Sequence, residues 1–434
     1  MGKYFVQNFG CRAAQADGAA LESLLAGKGL DAADDRLSAD LVVLNTCTVT
    51  SSADDDVRQT IRRVHRENPA ARILVTGCYA QRAPHDLAGM PGVEWVVGNS
   101  HKTEIADLVT IGRTRESAPY HGNLPGNILV GDIFAQQEFL SAPVEDAAGD
   151  RTRPNLKIQD GCNNRCSFCI IPFVRGRSRS APAAQVVEQV RTLARRYREI
   201  VLSGINLGRW GREPGGSMRL AGLLRLLLAE TEVERLRLSS VEPMDFSDDL
   251  LGLMASEPRI ANHVHAPLQS GSDRILRRMH RKYRPRHYTD RVLKARALMP
   301  EAAIGADVMV GFPGETGGDF EETVEFVRAL PFTYLHVFTY SERPGTPAAA
   351  SAEIVPAPVR KERNRVLREL ADEKNRAFRQ AMVGRTLSAV TLHQPGTALT
   401  ENYLKVILSH PRQANVIVDL RISGLNSAGL CEAA

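Results

Sequence analysis

Residues 155–169 read NLKIQDGCNNRCSFC. NLKIQ (155–159) reads as a β-strand, and the loop after it places Cys162, Cys166 and Cys169 in a C-x3-C-x2-C spacing. Three thiolates on one short loop can hold three corners of a [4Fe-4S] cube and leave the fourth iron open to something small. Zinc is the competing reading, but zinc takes paired C-x2-C units and four ligands, and no fourth Cys or His lies near this loop.

Five further strands follow downstream: EIVLSG (199–204), RLRLSS (235–240), HVHAPL (263–268), IGADVMVGF (304–312) and TYLHVFTY (333–340). Helical segments separate them, so six βα units predict an open or partial (βα)6 barrel. Upstream, KYFVQNF (3–9), DLVVLNT (40–46), RILVTG (72–77) and VEWVVG (93–98) alternate with helices, one of them over 53–67 and stopping before Pro69. That alternation predicts a doubly wound parallel sheet of flavodoxin-like or Rossmann-like type. Residues 113–153, with scattered Gly and Pro, read as a connector. Residues 357–382 make a long charged helix, and from Gly384 the short runs TLSAVTL, YLKVIL and NVIVDLRI predict a small β-barrel. The class is α/β, divided as 1–112, 113–153, 154–383 and 384–434.

The composition fits a soluble globular chain of several domains: 434 residues, 43% hydrophobic and 24% charged. This excludes a disordered or fibrous protein. The net charge of +5 is divided unevenly. Residues 1–150 hold 13 Lys and Arg against 20 Asp and Glu, while the remainder holds 42 against 30. A polyanionic partner should therefore contact the second part. The start, MGKYFVQNFG, has no apolar core of signal-peptide length, and the most apolar helix, near Leu220–Ala229, is too short to span a bilayer. The expected setting is the cytoplasm, without a membrane partner. Seven cysteines, an odd number, argue against a disulfide framework there.

The remaining cysteines sort by position. Cys11, Cys47 and Cys78 each sit just past the carboxyl end of a predicted parallel strand. In doubly wound sheets those ends line one edge, so three distant thiols can meet at one crevice. Three unrelated buried cysteines are the alternative. Cys431 has no partner pattern.

The C-x3-C-x2-C loop on a partial barrel resembles the radical S-adenosylmethionine (SAM) superfamily. In that family the open iron is chelated by SAM, and electron transfer yields a 5′-deoxyadenosyl radical that abstracts hydrogen from an unactivated carbon. Two three-cysteine sets on two α/β domains, followed by a small barrel, resemble the methylthiotransferases, which insert a methylthio group into a tRNA adenosine or a ribosomal-protein aspartate. The resemblance implies a TRAM-type C-terminal barrel and a second [4Fe-4S] cluster on Cys11, Cys47 and Cys78, whose open iron carries the sulfur. NTCTVTSSADDDVRQTIRR (45–63), the segment RGRSRS closing LKIQDGCNNRCSFCIIPFVRGRSRS (156–180), and the terminal RKY of HAPLQSGSDRILRRMHRKY (265–283) are similar to the branch acting on N6-threonylcarbamoyladenosine in tRNA. The other branches act on isopentenyladenosine in tRNA or on an aspartate of ribosomal protein S12. A non-enzymatic iron–sulfur RNA sensor would need no open-iron loop. TENYLKV (400–406) is similar to the TRAM core, and the segment after Ser409 departs from that pattern.

The SAM-facing candidates are Ser203, Gly204 and Asn206 at the end of the second barrel strand, Gln269 and Ser270 at the end of the fourth, and Asp307 in the fifth. VGFPGET (310–316) reads as a helix-entry turn with Thr316 as N-cap. Residues 151–180 hold seven basic residues against Asp160, and 274–286 hold seven with no acid. Such stretches suit an RNA backbone, here the anticodon stem-loop of tRNA. Arg274, Arg277, Arg278 and Arg281 are expected along one helical face against its phosphates. The remaining expected partner is an electron donor of flavodoxin or ferredoxin type.

Overall fold

The computed structural model describes residues 2–111, 127–136, 139 and 152–433. The expected connector falls mostly outside them. The first sheet is built from β1 (Lys3–Asn8), β2 (Asp31–Ala32), β3 (Leu41–Thr46), β4 (Arg72–Gly77), β5 (Val93–Gly98) and β6 (Ile128–Leu129). All pairings are parallel, in the order β2-β1-β3-β4-β5-β6. Every position of β3 is buried, because helices cover both faces. Val42 and Leu44 face a core with Val57, Ile61 and Val64, whereas Leu41 and Val43 face another with Leu21, Leu25 and Ile105. The helix Ser51–Glu67 starts at Thr50, whose hydroxyl accepts from the Ala53 N–H (3.2 Å), and it buries Val57, Ile61 and Val64 along one side. The edge strands β2 and β6 are two residues long, too short to show a period. β6 draws a piece of the expected connector into the sheet.

The second unit holds β7 (Asn155–Asp160), β8 (Arg179–Ser180), β9 (Glu199–Gly204), β10 (Arg235–Leu238), β11 (His263–His265), β12 (Ala303–Val310) and β13 (Tyr334–Thr339). β10, β9 and β7 pair in parallel, with β8 antiparallel on β7; β11, β12 and β13 pair in parallel. An isolated parallel bridge joins Leu236 of β10 to Ile260, just before β11, and a single core spans the two sheets. This is the expected open barrel, carrying all six predicted strands.

After the helix Ala357–Ala381, the strands β14 (Thr386–Thr391), β15 (Thr397–Thr400), β16 (Lys405–Ile407), β17 (Ile417–Leu425) and β18 (Leu430–Glu432) close a barrel in the order β14-β15-β16-β18-β17. The segment after Ser409, which departs from the family pattern in sequence, supplies two of its five strands. The barrel docks on the floor of the second unit. Buried Arg237 donates to the carbonyls of Thr400 (3.0 Å) and Glu401 (2.9 Å) and pairs with buried Glu199 (2.7 Å). Tyr403 stacks on His263 at the start of β11, with ring centroids 4.7 Å apart. Among the described residues, no helix is long and apolar enough to cross a membrane.

Candidate functional site

The first thiol loop is fixed by a glycine. Gly161 adopts φ 69°, and a Cβ there would lie 2.0 Å from the Arg177 carbonyl oxygen. That close approach turns the chain out of β7, and the Cys162 N–H then donates to the Gly176 carbonyl (3.1 Å). The Cys162 sulfur accepts from the Asn164 N–H (3.4 Å) and from Asn206 Nδ2 (3.7 Å). The buried Cys166 sulfur accepts from Arg281 Nη1 (3.2 Å). Arg281 is itself pinned by Glu242 and by the Tyr283 hydroxyl (3.2 Å). Burial, reinforced by Cys166 and Cys162, pushes the Cys169 thiol up to about 12. Thiols crowded this way ionise together only when a metal supplies positive charge. Asn206 Oδ1, beside them, is buried without a partner. The donor set therefore fits an iron–sulfur cluster with a polar ligand at its side.

The second set assembles at the carboxyl ends of β1, β3 and β4. Cys11 is exposed, whereas Cys47 and Cys78 are buried. Gly10, at φ 88°, lets the β1 turn press on Cys47; a Cβ there would sit 2.6 Å from the Cys47 sulfur. Burial pushes Cys47 up to about 12, with Cys78 and then Cys11 adding to the shift. The Cys78 sulfur accepts from Asn99 Nδ2 (3.6 Å), which also donates to the Val174 carbonyl (2.7 Å). Cys78 packs against Ile170, directly after Cys169, and against Val174. The two thiol sets thus meet across one domain junction. Cys431 lies apart, in β18.

A cavity of about 250 Å³ opens between them. Phe168, Cys169 and Ile170 form one wall, Val49 and Thr50 (just past Cys47) another, and Gln269, Asp307, Met309 and Phe338 a third. Behind it, the Asp307 carboxylate accepts from His265 Nε2 (3.1 Å) and His336 Nδ1 (3.1 Å). The ligand atoms of these three lie within 4.8 Å of one another. The Tyr334 hydroxyl links His265 Nδ1 (2.8 Å) to His263 Nε2 (2.7 Å), so a polar column runs along the barrel interior. Burial works against the Asp307 carboxylate, yet the two imidazoles hold it well below the usual carboxylate range.

Residues 156–327 match the Radical SAM superfamily, and residues 3–98 match the Uncharacterized protein family UPF0004. The threonylcarbamoyladenosine tRNA methylthiotransferase MtaB of Aquifex aeolicus is 38% identical over 405 residues, covering 93% of this chain and 96% of that protein. The protein of the same name from Bacillus subtilis is 38% identical over 408 residues, covering 92% and 88%. This chain belongs to the threonylcarbamoyladenosine tRNA methylthiotransferase family. A tRNA-2-methylthio-N(6)-dimethylallyladenosine synthase of Cereibacter sphaeroides is 35% identical over 393 residues, covering 89% of this chain and 87% of that one. Among solved structures, the radical SAM methyltransferase TsrM of Kitasatospora setae superposes with a TM-score of 0.57 at 16% identity, covering 80% of this chain and 76% of that chain, which is a likeness of fold. The superfamily's [4Fe-4S] cluster and SAM follow from membership.

In this methylthiotransferase the candidate SAM contacts divide by their present bonds. Ser203 is buried and donates to the Leu156 carbonyl (3.4 Å). Gly204 lies tight on Gln159, whose Oε1 accepts from the Asn206 N–H (2.6 Å). Ser270 bonds Thr323 (3.2 Å) and accepts from the Ser272 N–H (3.2 Å). Gln269, at φ 68°, and Asp307 reach the cavity wall.

The expected basic face is overturned. The helix runs only over Asp273–Arg278, because His280 adopts φ 56° and turns the chain. Arg281 consequently points inward to Cys166, away from any surface. Arg274 is paired with Asp319, Arg277 with Asp273 (2.7 Å) and Arg278 with Glu353, so these three are each met by a carboxylate outside the run. Sequence reasoning also missed Glu242, His265, His336 and the buried Arg343–Asp54 pair (2.7 Å) that ties the barrel rim to the first domain. Asp54 lies within ADDD beside Cys47, and that acidic run was the available signal.

Proposed function

We propose that this methylthiotransferase converts N6-threonylcarbamoyladenosine, beside the anticodon of tRNA, to 2-methylthio-N6-threonylcarbamoyladenosine. The observation carrying this reading is the shared cavity, walled by Cys169 on one side and by the residues after Cys47 on the other. In this reading Cys162, Cys166 and Cys169 hold a [4Fe-4S] cluster whose open iron takes SAM, and Cys11, Cys47 and Cys78 hold an auxiliary [4Fe-4S] cluster. Bound there, these groups supply one-electron SAM cleavage, hydrogen abstraction from the adenine and the sulfur to be transferred.

The chain's own residues position the reactants. Arg281 donates to Cys166 and fixes that corner of the loop. Asn206 offers its unpartnered Oδ1 to the SAM amino group, with Ser203 and Gly204 shaping the turn beneath and Ser270 bracing the turn at Gln269. Gln269 and Asp307 present polar atoms to the ribose or the base, while Phe168, Met309 and Phe338 exclude water. A base in the anticodon loop needs little unpairing to enter. The tail barrel adds a grip on the anticodon stem-loop. The electron donor is of flavodoxin or ferredoxin type, and the enzyme works in the cytoplasm.

Mass spectrometry of tRNA nucleosides from a strain lacking this protein tests the reading. Loss of 2-methylthio-N6-threonylcarbamoyladenosine alone is expected. Loss of the methylthiolated isopentenyl nucleoside, or unchanged nucleosides with loss of the S12 modification, would overturn it.

A further inference from the structure

Between the two thiol sets lies a buried ionic network with more positive than negative charge. Asp17, on the helix Arg12–Gly27, accepts from Lys102 Nζ (3.1 Å), from Lys157 Nζ and from Arg175 Nη2 (3.0 Å). Asp160, immediately before Gly161 and Cys162, accepts from Lys157 Nζ (2.9 Å) and Arg175 Nη1 (3.0 Å), with Arg179 at 3.5 Å. The side chains of Asp17, Lys102, Lys157, Asp160 and Arg175 are each 6% exposed or less. Even without Arg179, three buried cations face two buried carboxylates. Among the described residues no further carboxylate pairs with Lys102, Lys157 or Arg175; Lys102 adds only the neutral Asn45 Oδ1 (3.2 Å).

Surplus charge in a dry interior is costly unless an anion answers it. The second thiol set lies against this network: Val174, next to Arg175, packs on Cys78, and Asn99 bonds both the Cys78 sulfur (3.6 Å) and the Val174 carbonyl (2.7 Å). Arg175 Nε is buried with no hydrogen-bond partner. Burial works against the guanidinium charge, and the charge partners that oppose this effect are Cys78 first, then Asp160, Asp17 and Cys11. Arg175 ends the short helix Ile171–Arg175 that begins two residues after Cys169, so the cation is delivered by the loop of the first set to the thiols of the second.

We propose that Arg175, with Lys102 and Lys157, is the built-in counter-charge of an anionic iron–sulfur group on Cys11, Cys47 and Cys78, stabilising its most negatively charged form. The proposal rests on the auxiliary-cluster reading above. It makes Arg175 a positioning residue: it acts on the potential and retention of that group and touches no substrate. A fixed cation at close range favours reduction of a neighbouring redox group, and low local dielectric keeps the effect strong.

The experiment uses full-length chain in which Cys162, Cys166 and Cys169 are replaced by Ala, so that one cluster remains, reconstituted anaerobically with iron and sulfide. Redox titration followed by electron paramagnetic resonance is compared for the Arg175 form, Arg175→Lys and Arg175→Gln. The expected result is one cluster's iron per chain in the first two, with a midpoint shifted to lower potential in R175Q and largely restored in R175K. Should R175Q not fold, Lys102→Gln is read the same way and is expected to shift in the same direction. Full iron with an unmoved potential in R175Q, or in K102Q where that variant stands in, overturns the counter-charge while leaving the cluster reading intact. Absence of iron in the parent with Arg175 intact removes the anion itself, and both readings fall.

Discussion

Arg281 serves three partners with one guanidinium: Cys166, Glu242 and the Tyr283 hydroxyl. Its removal would leave the Glu242 carboxylate half-buried and unpaired, a loss of about 3–5 kcal/mol in comparable buried pairs. Arg281→Ala is expected to lower thermal stability and to lose iron from the first loop, measured as iron per chain after anaerobic reconstitution; R281A with full iron and normal 5′-deoxyadenosine production would reject that role. The cysteines themselves divide differently. Cys166→Ala is expected to abolish 5′-deoxyadenosine formation, whereas Cys47→Ala should keep uncoupled SAM cleavage and give no methylthio product. Equal loss of 5′-deoxyadenosine in both, with folding intact, would refute the division. The cysteines are legible in sequence because thiols are rare and all six follow strand ends. Arg281, Arg175 and His336 are not, because arginine and histidine are ordinary surface residues. The inward turn of Arg281 and Arg175 depends on Glu242 and Asp17, and the pairing of half-exposed His336 depends on Asp307, each distant in sequence.

At the scale of elements, the turn VGFPGET is a helix start with a full capping box. The Thr316 hydroxyl accepts from the Asp319 N–H (3.2 Å), and Asp319 Oδ2 accepts in return from the Thr316 N–H (2.8 Å). Thr316→Ala is expected to cost about 1 kcal/mol, read from the denaturant midpoint at unchanged slope. Strands such as β3, β4 and β12 are legible as apolar runs because both faces are covered. The two-residue strands β2 and β6 are not, since their place is decided by the neighbour they pair with. The helix Asp273–Arg278 is legible as a helix but not in length, because a single left-handed residue, His280, ends it.

For the whole molecule, buried charged groups join the three units, and their carboxylates respond to acid. Burial alone would raise Glu199, but the guanidinium of Arg237, with Arg153 and Arg235, holds it down to about 2. A depressed carboxylate stabilises the fold above its ordinary value of 4.5, and that contribution disappears as pH falls from 4.5 towards 2. Because Arg237 also grips Thr400 and Glu401, acid in that window should release the tail barrel before the core unfolds. Limited acid proteolysis with pepsin is expected to liberate a fragment starting near Gly384; simultaneous loss of all three units would contradict this. The tail barrel has a second bearing on the chemistry. Tyr403, held at φ 64° beneath the Arg237 guanidinium, covers His263 at the foot of the polar column that ends at Asp307. It is the cork at the foot of that column. Truncation at Gly384 is then expected to act as a leak as well as the loss of a handle: faster solvent exchange at the backbone amides of β11 and β12, read by hydrogen–deuterium exchange, in a chain that still binds its SAM-side iron.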